Sequence, residues 1–252
     1  MTKEPWPDDV KLFQPHIVEQ ILLPDYGNCL AVQVFLRMCG LDFQVEMRAN
    51  AEFMSPTGKV PFLQCGTFLV AEMDPIIAFV NNKGISLSSD LDNSQRADMK
   101  AYMSLINDTL YNAELYISWV DDLIYEEVTK PRYGSVFPWP LNKVIPWQRK
   151  RQMVKRLSHL GWGQKTSEQV YQEVDKCCHA LSERLGTNQK YFFGRATELD
   201  ALAFGHLYTI LTTDLPDNRL ASTVRHYQNL VTLCEAIEED YFPRVTESDL
   251  IP

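Results

Sequence analysis

The chain has 252 residues, enough for one large domain or two smaller ones with real cores, and its formal net charge of −9 argues against general nucleic-acid binding. Hydrophobic residues make up 45% and charged residues 23%, which describes an ordinary globular protein and excludes extended disorder. Six cysteines without a CxxC pair and five scattered histidines exclude a clustered zinc site, and the cysteines read as reduced, mostly buried thiols.

The N-terminal MTKEPWPDDV has neither the apolar core of a secretory signal nor the Arg-rich pattern of a transit peptide. VKLFQ, 10–14, reads as a short strand. A turn over 24–27 leads into a helix over 28–39, with Asn28 as N-cap and Ala31, Val34, Phe35 and Met38 on one face. FQVEM, 43–47, alternates like a strand. VPFLQ and TFLVA, separated by Cys65-Gly66, form a predicted hairpin. Asp74-Pro75 then opens a helix, with aspartate as cap and proline in the first turn. This order predicts a small α/β domain over 10–84. Within it, GKVPFL puts Pro61 at the second position of a strand. Proline cannot donate to a ladder, so pairing is expected to stop there and leave the N–H and C=O of Val60 to face something else.

A polar linker follows Gly84, and an all-helical domain is predicted over 92–242. Met99, Tyr102, Met103, Ile106, Leu110, Ala113 and Ile117 follow three- and four-residue steps, as do Val170, Val174, Cys177, Leu181 and Leu185. Thr197 is expected to cap a helix, with Asp200 returning a hydrogen bond to the cap. That helix carries the long apolar stretch ALAFGHLYTIL, too short to span a bilayer. His206 and His179 fall within helical patterns and read as packed or hydrogen-bonded residues. The tail over 243–252 is polar.

One segment breaks the acidic character of the chain. Between Glu127 and Glu168 lie nine cations and no Asp or Glu, together with three of the five tryptophans, Trp139, Trp147 and Trp162. Four prolines in this insert, 130–165, are expected to prevent one continuous helix. Three readings stand for it: contact with anionic lipid, contact with an acidic partner surface, or a solvated helix whose tryptophans pack into the core. The residues proposed for partner or membrane contact are Arg149, Lys150, Arg151, Lys155, Arg156, Trp139 and Trp147.

GKVPFL, its hairpin and the Asp/Pro-started helix resemble glutathione transferases, as does FFGRATELDALAFGHLY in the second domain. That resemblance implies a thioredoxin-like α/β domain followed by an all-α domain. It also implies a pocket at Val60, Pro61 and Glu72. The family's Glu-Ser after the fourth strand reads Glu72-Met73-Asp74 here, and methionine cannot replace the hydroxyl that holds glutathione. Tyr26 and Cys29 stand near the family's activating position, and a structural role is expected for both. The pocket is therefore read as vestigial, with no catalytic residue, cofactor or metal.

NAEFMSPTGKVPF, DMKAYMSLINDTLYNAELY, RYGSVFPWPLN, HLGWGQKT and TELDALAFGHLYTILTT together resemble the metaxin family, from about Pro5 to Phe242. The resemblance implies a transferase-like, non-enzymatic protein held peripherally on the cytosolic face of the mitochondrial outer membrane. It implies work in the sorting and assembly machinery that inserts β-barrel proteins, and adaptor duty towards motors through Miro. In the family one kind carries a C-terminal anchor and another, anchorless, binds it. The partner expected here is thus a first-metaxin-type paralogue, and no nucleic acid. Two other readings remain at this point: a glutathione-dependent transferase or reductase, and a peptide-binding module built on the Val60 backbone edge.

Overall fold

The computed structural model describes residues 6–242; the polar tail expected over 243–252 lies outside the described residues. All its strands fall between residues 11 and 71. They are β1 (Lys11–Gln14), β2 (Gln44–Met47), β3 (Phe62–Cys65) and β4 (Phe68–Ala71), ordered β2-β1-β3-β4 in one sheet. β1 and β2 run parallel, and the other pairs are antiparallel. Phe13 and Phe62 sit opposite each other in the β1–β3 register, and their rings stack with centroids 4.7 Å apart.

Helix α1 (Leu23–Met38) makes the crossover from β1 to β2. It starts five residues earlier than the sequence suggests. Pro24 lies in the first turn, where a missing N–H costs nothing, so it opens the helix instead of delaying it. Asn28 is therefore not a cap; its side-chain amide donates to the Pro24 carbonyl at 3.0 Å. The helix also has no single buried face. Leu30, Ala31, Val32, Val34, Phe35 and Leu36 are all buried, as befits a helix enclosed on several sides. A short helix, α2 (Ala51–Met54), was not expected, and follows β2. α3 (Met73–Asn82) follows β4, and Glu72 with φ 72° occupies its N-cap position, so Asp74 lies inside the first turn and is not the cap.

Among the described residues beyond 92, every regular element is helical. α4 (Asn93–Trp119) opens on a reciprocal cap: Asp92 Oδ1 accepts from the Gln95 N–H at 2.8 Å, and Gln95 Oε1 accepts from the Asp92 N–H at 3.0 Å. Next come α5 (Asp122–Ile124), a π-helical turn over Tyr125–Thr129, α6 (Lys130–Gly134), α7 (Leu141–His159), α8 (Ser167–Leu185), α9 (Glu198–Thr212), α10 (Arg219–Arg225) and α11 (Gln228–Tyr241). At the start of α9 the buried Asp200 carboxylate accepts from the Thr197 N–H (2.8 Å), the Thr197 hydroxyl (2.6 Å) and the Phe192 N–H (2.9 Å).

The insert is not one continuous helix, as its prolines suggest: α6 and α7 are separated around Pro138 and Pro140, while Pro146 lies inside α7. It lacks the N–H that the Asn142 carbonyl would accept. Gly134 of α6 lies against that same carbonyl, so close that a Cβ there would stand 2.6 Å from it. Any side chain at position 134 would collide with that carbonyl, so the close approach of α6 to α7 requires glycine there.

α1 of the sheet domain packs on α9 of the helical domain at backbone distance. A Cβ added at Gly205 would lie 2.3 Å from the Gly27 carbonyl oxygen and 2.6 Å from both N and Cβ of Ala31. One residue on, His206 is fully buried, and its Nδ1 lies 2.9 Å from both carboxylate oxygens of Glu114, which is fully buried on α4. Burial pushes the Glu114 carboxyl up, and the imidazole beside it pulls it back down. This pair pins α4 and α9 beside the Gly27–Gly205 contact. His179 is exposed on α8, its ring tilted over Tyr227 with centroids 6.3 Å apart.

Candidate functional site

Val60 is joined to Pro61 by a cis peptide bond and is buried just ahead of β3. Among the described residues neither its N–H nor its C=O has a hydrogen-bond partner. Pro61 does not end pairing altogether: its carbonyl accepts from the Glu72 N–H at 3.2 Å. Glu72 in turn forms an ion pair with Lys59, and Met73 is buried behind it. Val60, Lys59 and Glu72 thus come together at the wall of a cavity of about 370 Å³ between the two domains; Pro61 itself does not line it. Across the cavity stand Asp108, Tyr111 and Asn112 of α4 and Arg156 of α7. A smaller cavity of about 60 Å³ adjoins it and shares Asp25, Lys59, Val60, Tyr111 and Arg156.

Cys29 and Tyr26, which stand near the family's activating position, line neither cavity and are poorly placed for nucleophilic work. Cys29 is fully buried; its thiol is pushed well above its ordinary value by burial and then by Asp25, so it stays protonated at neutral pH. Burial, and then Cys29, also raise the half-buried Tyr26 phenol.

Asp25 is the residue that sequence reading missed. It is half-buried and lines both cavities, and no protein group donates a hydrogen bond to its carboxyl among the described residues. Its pKa is pushed up to about 7, chiefly by burial and then by the Glu52 carboxylate, against a lowering by Arg149. In sequence it is an acidic residue in a helix's first turn, a common pattern at helix starts that carries no hint of burial.

The basic insert forms α6, the loop with Pro138 and Pro140, and α7. It has two faces. Inward, Arg149 forms an ion pair with Glu52 of α2, Lys150 reaches Asp122 at 2.9 Å and sits 4.0 Å above the Tyr125 ring, and Arg156 lies 5.5 Å from the Tyr111 ring centroid. Tyr133 also donates to Glu52, at 3.1 Å, so α2 is tied to the insert from two sides. Outward stand Trp139 (78% exposed), Leu141, Val144 and Trp147 (54% exposed), followed by Arg151 and Lys155. Arg151 lies 4.9 Å from the Trp147 ring centroid. Trp162 is buried. The seven residues singled out for contact therefore do not act as one set. Three of the five cations are turned into the protein, while Trp139, Trp147, Arg151 and Lys155 share the outer surface. Phe53, 68% exposed on α2, meets Phe137 edge-on at 6.4 Å and borders the same region.

Among the described residues no helix is long and apolar enough to cross a membrane. Residues 29–150 match the family described as "Outer mitochondrial membrane transport complex protein", and residues 174–237 match "Glutathione S-transferase, C-terminal domain". The chain is 51% identical to metaxin-2 of Homo sapiens over 239 residues, covering 95% of this chain and 91% of that protein. It is 35% identical to metaxin-1 of Mus musculus, covering 89% of this chain and 72% of that one. Glutathione transferase F7 from Populus trichocarpa superposes with a TM-score of 0.56 at 15% identity, covering 95% of this chain and 99% of the other, which shows a shared fold.

Proposed function

The chain belongs to the metaxin family, and we propose that it is a non-enzymatic subunit of an outer-mitochondrial-membrane transport complex, held peripherally on the cytosolic face beside a first-metaxin-type partner. Sorting and assembly of β-barrel proteins is its main work in this reading, with attachment of motors through Miro as a second use of the same scaffold. The family match from 29 to 150, described as an outer-mitochondrial-membrane transport complex protein, supports the location. The outer surface of the insert is the observation that carries the docking: exposed Trp139 just ahead of α7 and Trp147 on it, followed by Arg151 and Lys155, which form no ion pair among the described residues, on a chain whose net charge is −9. Tryptophan suits the border between apolar and polar layers. Each cation beside an anionic surface adds about 1 kcal/mol of attraction.

The test is a fourfold variant, Trp139→Ala, Trp147→Ala, Arg151→Glu and Lys155→Glu, returned to cells lacking the protein. It should leave isolated mitochondria, or lose the first-metaxin-type partner on affinity purification, with an unchanged circular dichroism spectrum. Undiminished retention on both counts would refute docking through this face.

The competing reading, a glutathione-dependent enzyme, draws on the shared transferase fold. It needs saturable glutathione binding at Val60 and Glu72 and an activated thiol or phenol. Buried Met73 in place of a hydroxyl and the protonated Cys29 both oppose it. A calorimetric titration at millimolar glutathione with no heat and no change in melting temperature removes it.

A further inference from the structure

The outer surface of the insert has an order along its length. Leu141, Val144, Trp147, Arg151 and Lys155 follow one another at steps of three and four residues, so they share one face of α7, and all five are exposed. The first three are apolar and the last two are cations. At 1.5 Å per residue the apolar part runs about 9 Å along the axis, and Arg151 and Lys155 stand about 6 and 12 Å behind Trp147. Ahead of the helix, the loop at 138–140 carries Trp139, the most exposed large hydrophobic side chain among the described residues. Beside that loop Phe53 of α2 meets Phe137, and both Phe53 and its neighbour Met54 are exposed.

The charges here are sorted as well. Arg149 pairs with Glu52 and Lys150 with Asp122, so those two acids of neighbouring elements are neutralised. Lys143, Arg151 and Lys155 are exposed and form no ion pair among the described residues, and the insert contributes no Asp or Glu of its own. An apolar end followed by unpaired cations matches the layering of an anionic bilayer, hydrocarbon and then phosphate. The hydrocarbon is about 30 Å thick and the whole bilayer about 40–45 Å, so each headgroup layer is about 5–8 Å deep, the span from Trp147 to Arg151. Interfacial helices sink about 5–10 Å into the acyl boundary, a depth that the apolar part of this face fills. An acidic protein patch would answer the cations, but it does not call for apolar side chains at one end of the helix and cations at the other.

We propose that the insert enters an anionic bilayer surface obliquely, the N-terminal end of α7 first. Trp139, Leu141 and Trp147, with Phe53 of α2, sit at the upper acyl chains, and Arg151 and Lys155 pair with headgroup phosphates. This rests on docking through the outer surface of the insert and names what that surface touches, which is lipid. The ion pair from Arg149 to Glu52 and the hydrogen bond from Tyr133 to Glu52 hold α2 to the insert, so the two apolar points enter together. Arg151, 4.9 Å from the Trp147 ring centroid, is a cation held against an interfacial tryptophan.

The full chain is mixed with vesicles of phosphatidylcholine alone or of phosphatidylcholine with phosphatidylinositol, and bound protein is read by flotation. Binding to the anionic vesicles should be at least tenfold tighter than to the neutral ones and should weaken as salt is raised. Arg151→Glu with Lys155→Glu should cost at least tenfold, and so should Trp139→Ala with Trp147→Ala. Acyl chains brominated near the headgroup should quench the tryptophan fluorescence. Trp139→Phe with Trp147→Phe keeps the aromatic anchors and should bind as before yet lose the quenching, because Trp119 and Trp162 are buried and Trp6 packs on Phe79 of α3. Equal binding to both kinds of vesicle, or quenching that survives in the phenylalanine variant, would overturn the assignment. Absence of vesicle binding would overturn it too; if the fourfold variant then loses the first-metaxin-type partner in detergent solution, the surface is a protein interface and docking stands without lipid. Undiminished retention of the fourfold variant on mitochondria and with its partner removes docking itself, whatever the vesicles show.

Discussion

Replacing Gly205 by alanine tests whether the two domains are held at backbone contact. The added Cβ would lie 2.3 Å from the Gly27 oxygen and 2.6 Å from the Ala31 N, where 3.4 Å and beyond is ordinary contact. Two of the three obstructing atoms are backbone, so no side chain can swing aside. α9 must draw away from α1 by about 1 Å, and a gap of that size forfeits a quarter to a half of the dispersion attraction between the facing atoms. Alanine's better helix propensity returns about 1 kcal/mol. Overpacking at such a rigid spot costs about 3–5 kcal/mol, at or above the upper end of the usual range. The net loss is about 2–4 kcal/mol, which for a chain of this length lowers Tm by about 5–15 °C. Thermal and urea denaturation followed by circular dichroism read it directly. A Tm within 2 °C of the unaltered protein, or above it, would show that the helices are not locked by the Gly27–Gly205 approach.

Three other outcomes follow from buried polar groups. His206→Leu leaves the buried Glu114 carboxyl without its partner and should cost about 3–5 kcal/mol in urea unfolding, whereas the pair Glu114→Leu with His206→Leu should recover most of that; equal losses in both would contradict the account of a mutually satisfied buried pair. Asp200→Ala removes the acceptor for the Phe192 and Thr197 N–H groups and should cost about 2–4 kcal/mol, with hydrogen exchange speeding up at those two amides and staying unchanged if the cap is unimportant. Asp25 carries a pH signature. Its folded pKa of about 7 stands above its ordinary value of 3.8, so between those limits the unfolded chain releases the proton first and stability falls as pH rises. Asp25→Asn abolishes that fall, and its stability relative to the unaltered chain should climb by about 1–3 kcal/mol from pH 4 to pH 7, less than the full three-unit shift implies because water in the cavity reaches the carboxyl. A flat difference across that window would show the carboxyl to be solvated.

Features that are local in sequence were legible. Thr197 and Asp200 are three residues apart, and the cap they form was readable from spacing alone. Pro61 announced a break in β3, although its carbonyl still joins the ladder. The transferase-like plan and the metaxin resemblance were carried by motifs spread along the chain. Features that depend on distant residues were not legible. Pro24 reads as a turn residue until α1 is seen to begin around it. Nothing in the sequence says that Pro146 lies inside α7 or that Gly134 fits against the Asn142 carbonyl. Arg149, Lys150 and Arg156 read as part of one basic surface, but Glu52, Asp122 and Tyr111, 97, 28 and 45 positions away, draw them inward. Asp25 acquires its character only from the cavity it faces.

α7 serves as inner lining and outer rim at once. Arg149 and Arg156 look into the chamber between the domains, and Trp147, Arg151 and Lys155 look out, all within three turns of one rod. A rod cannot shift on one side alone. Trp147, Arg149 and Arg156 are carried by one helix, so a contact that orients Trp147 fixes the positions of both arginines, and the Arg149–Glu52 ion pair ties that helix to α2.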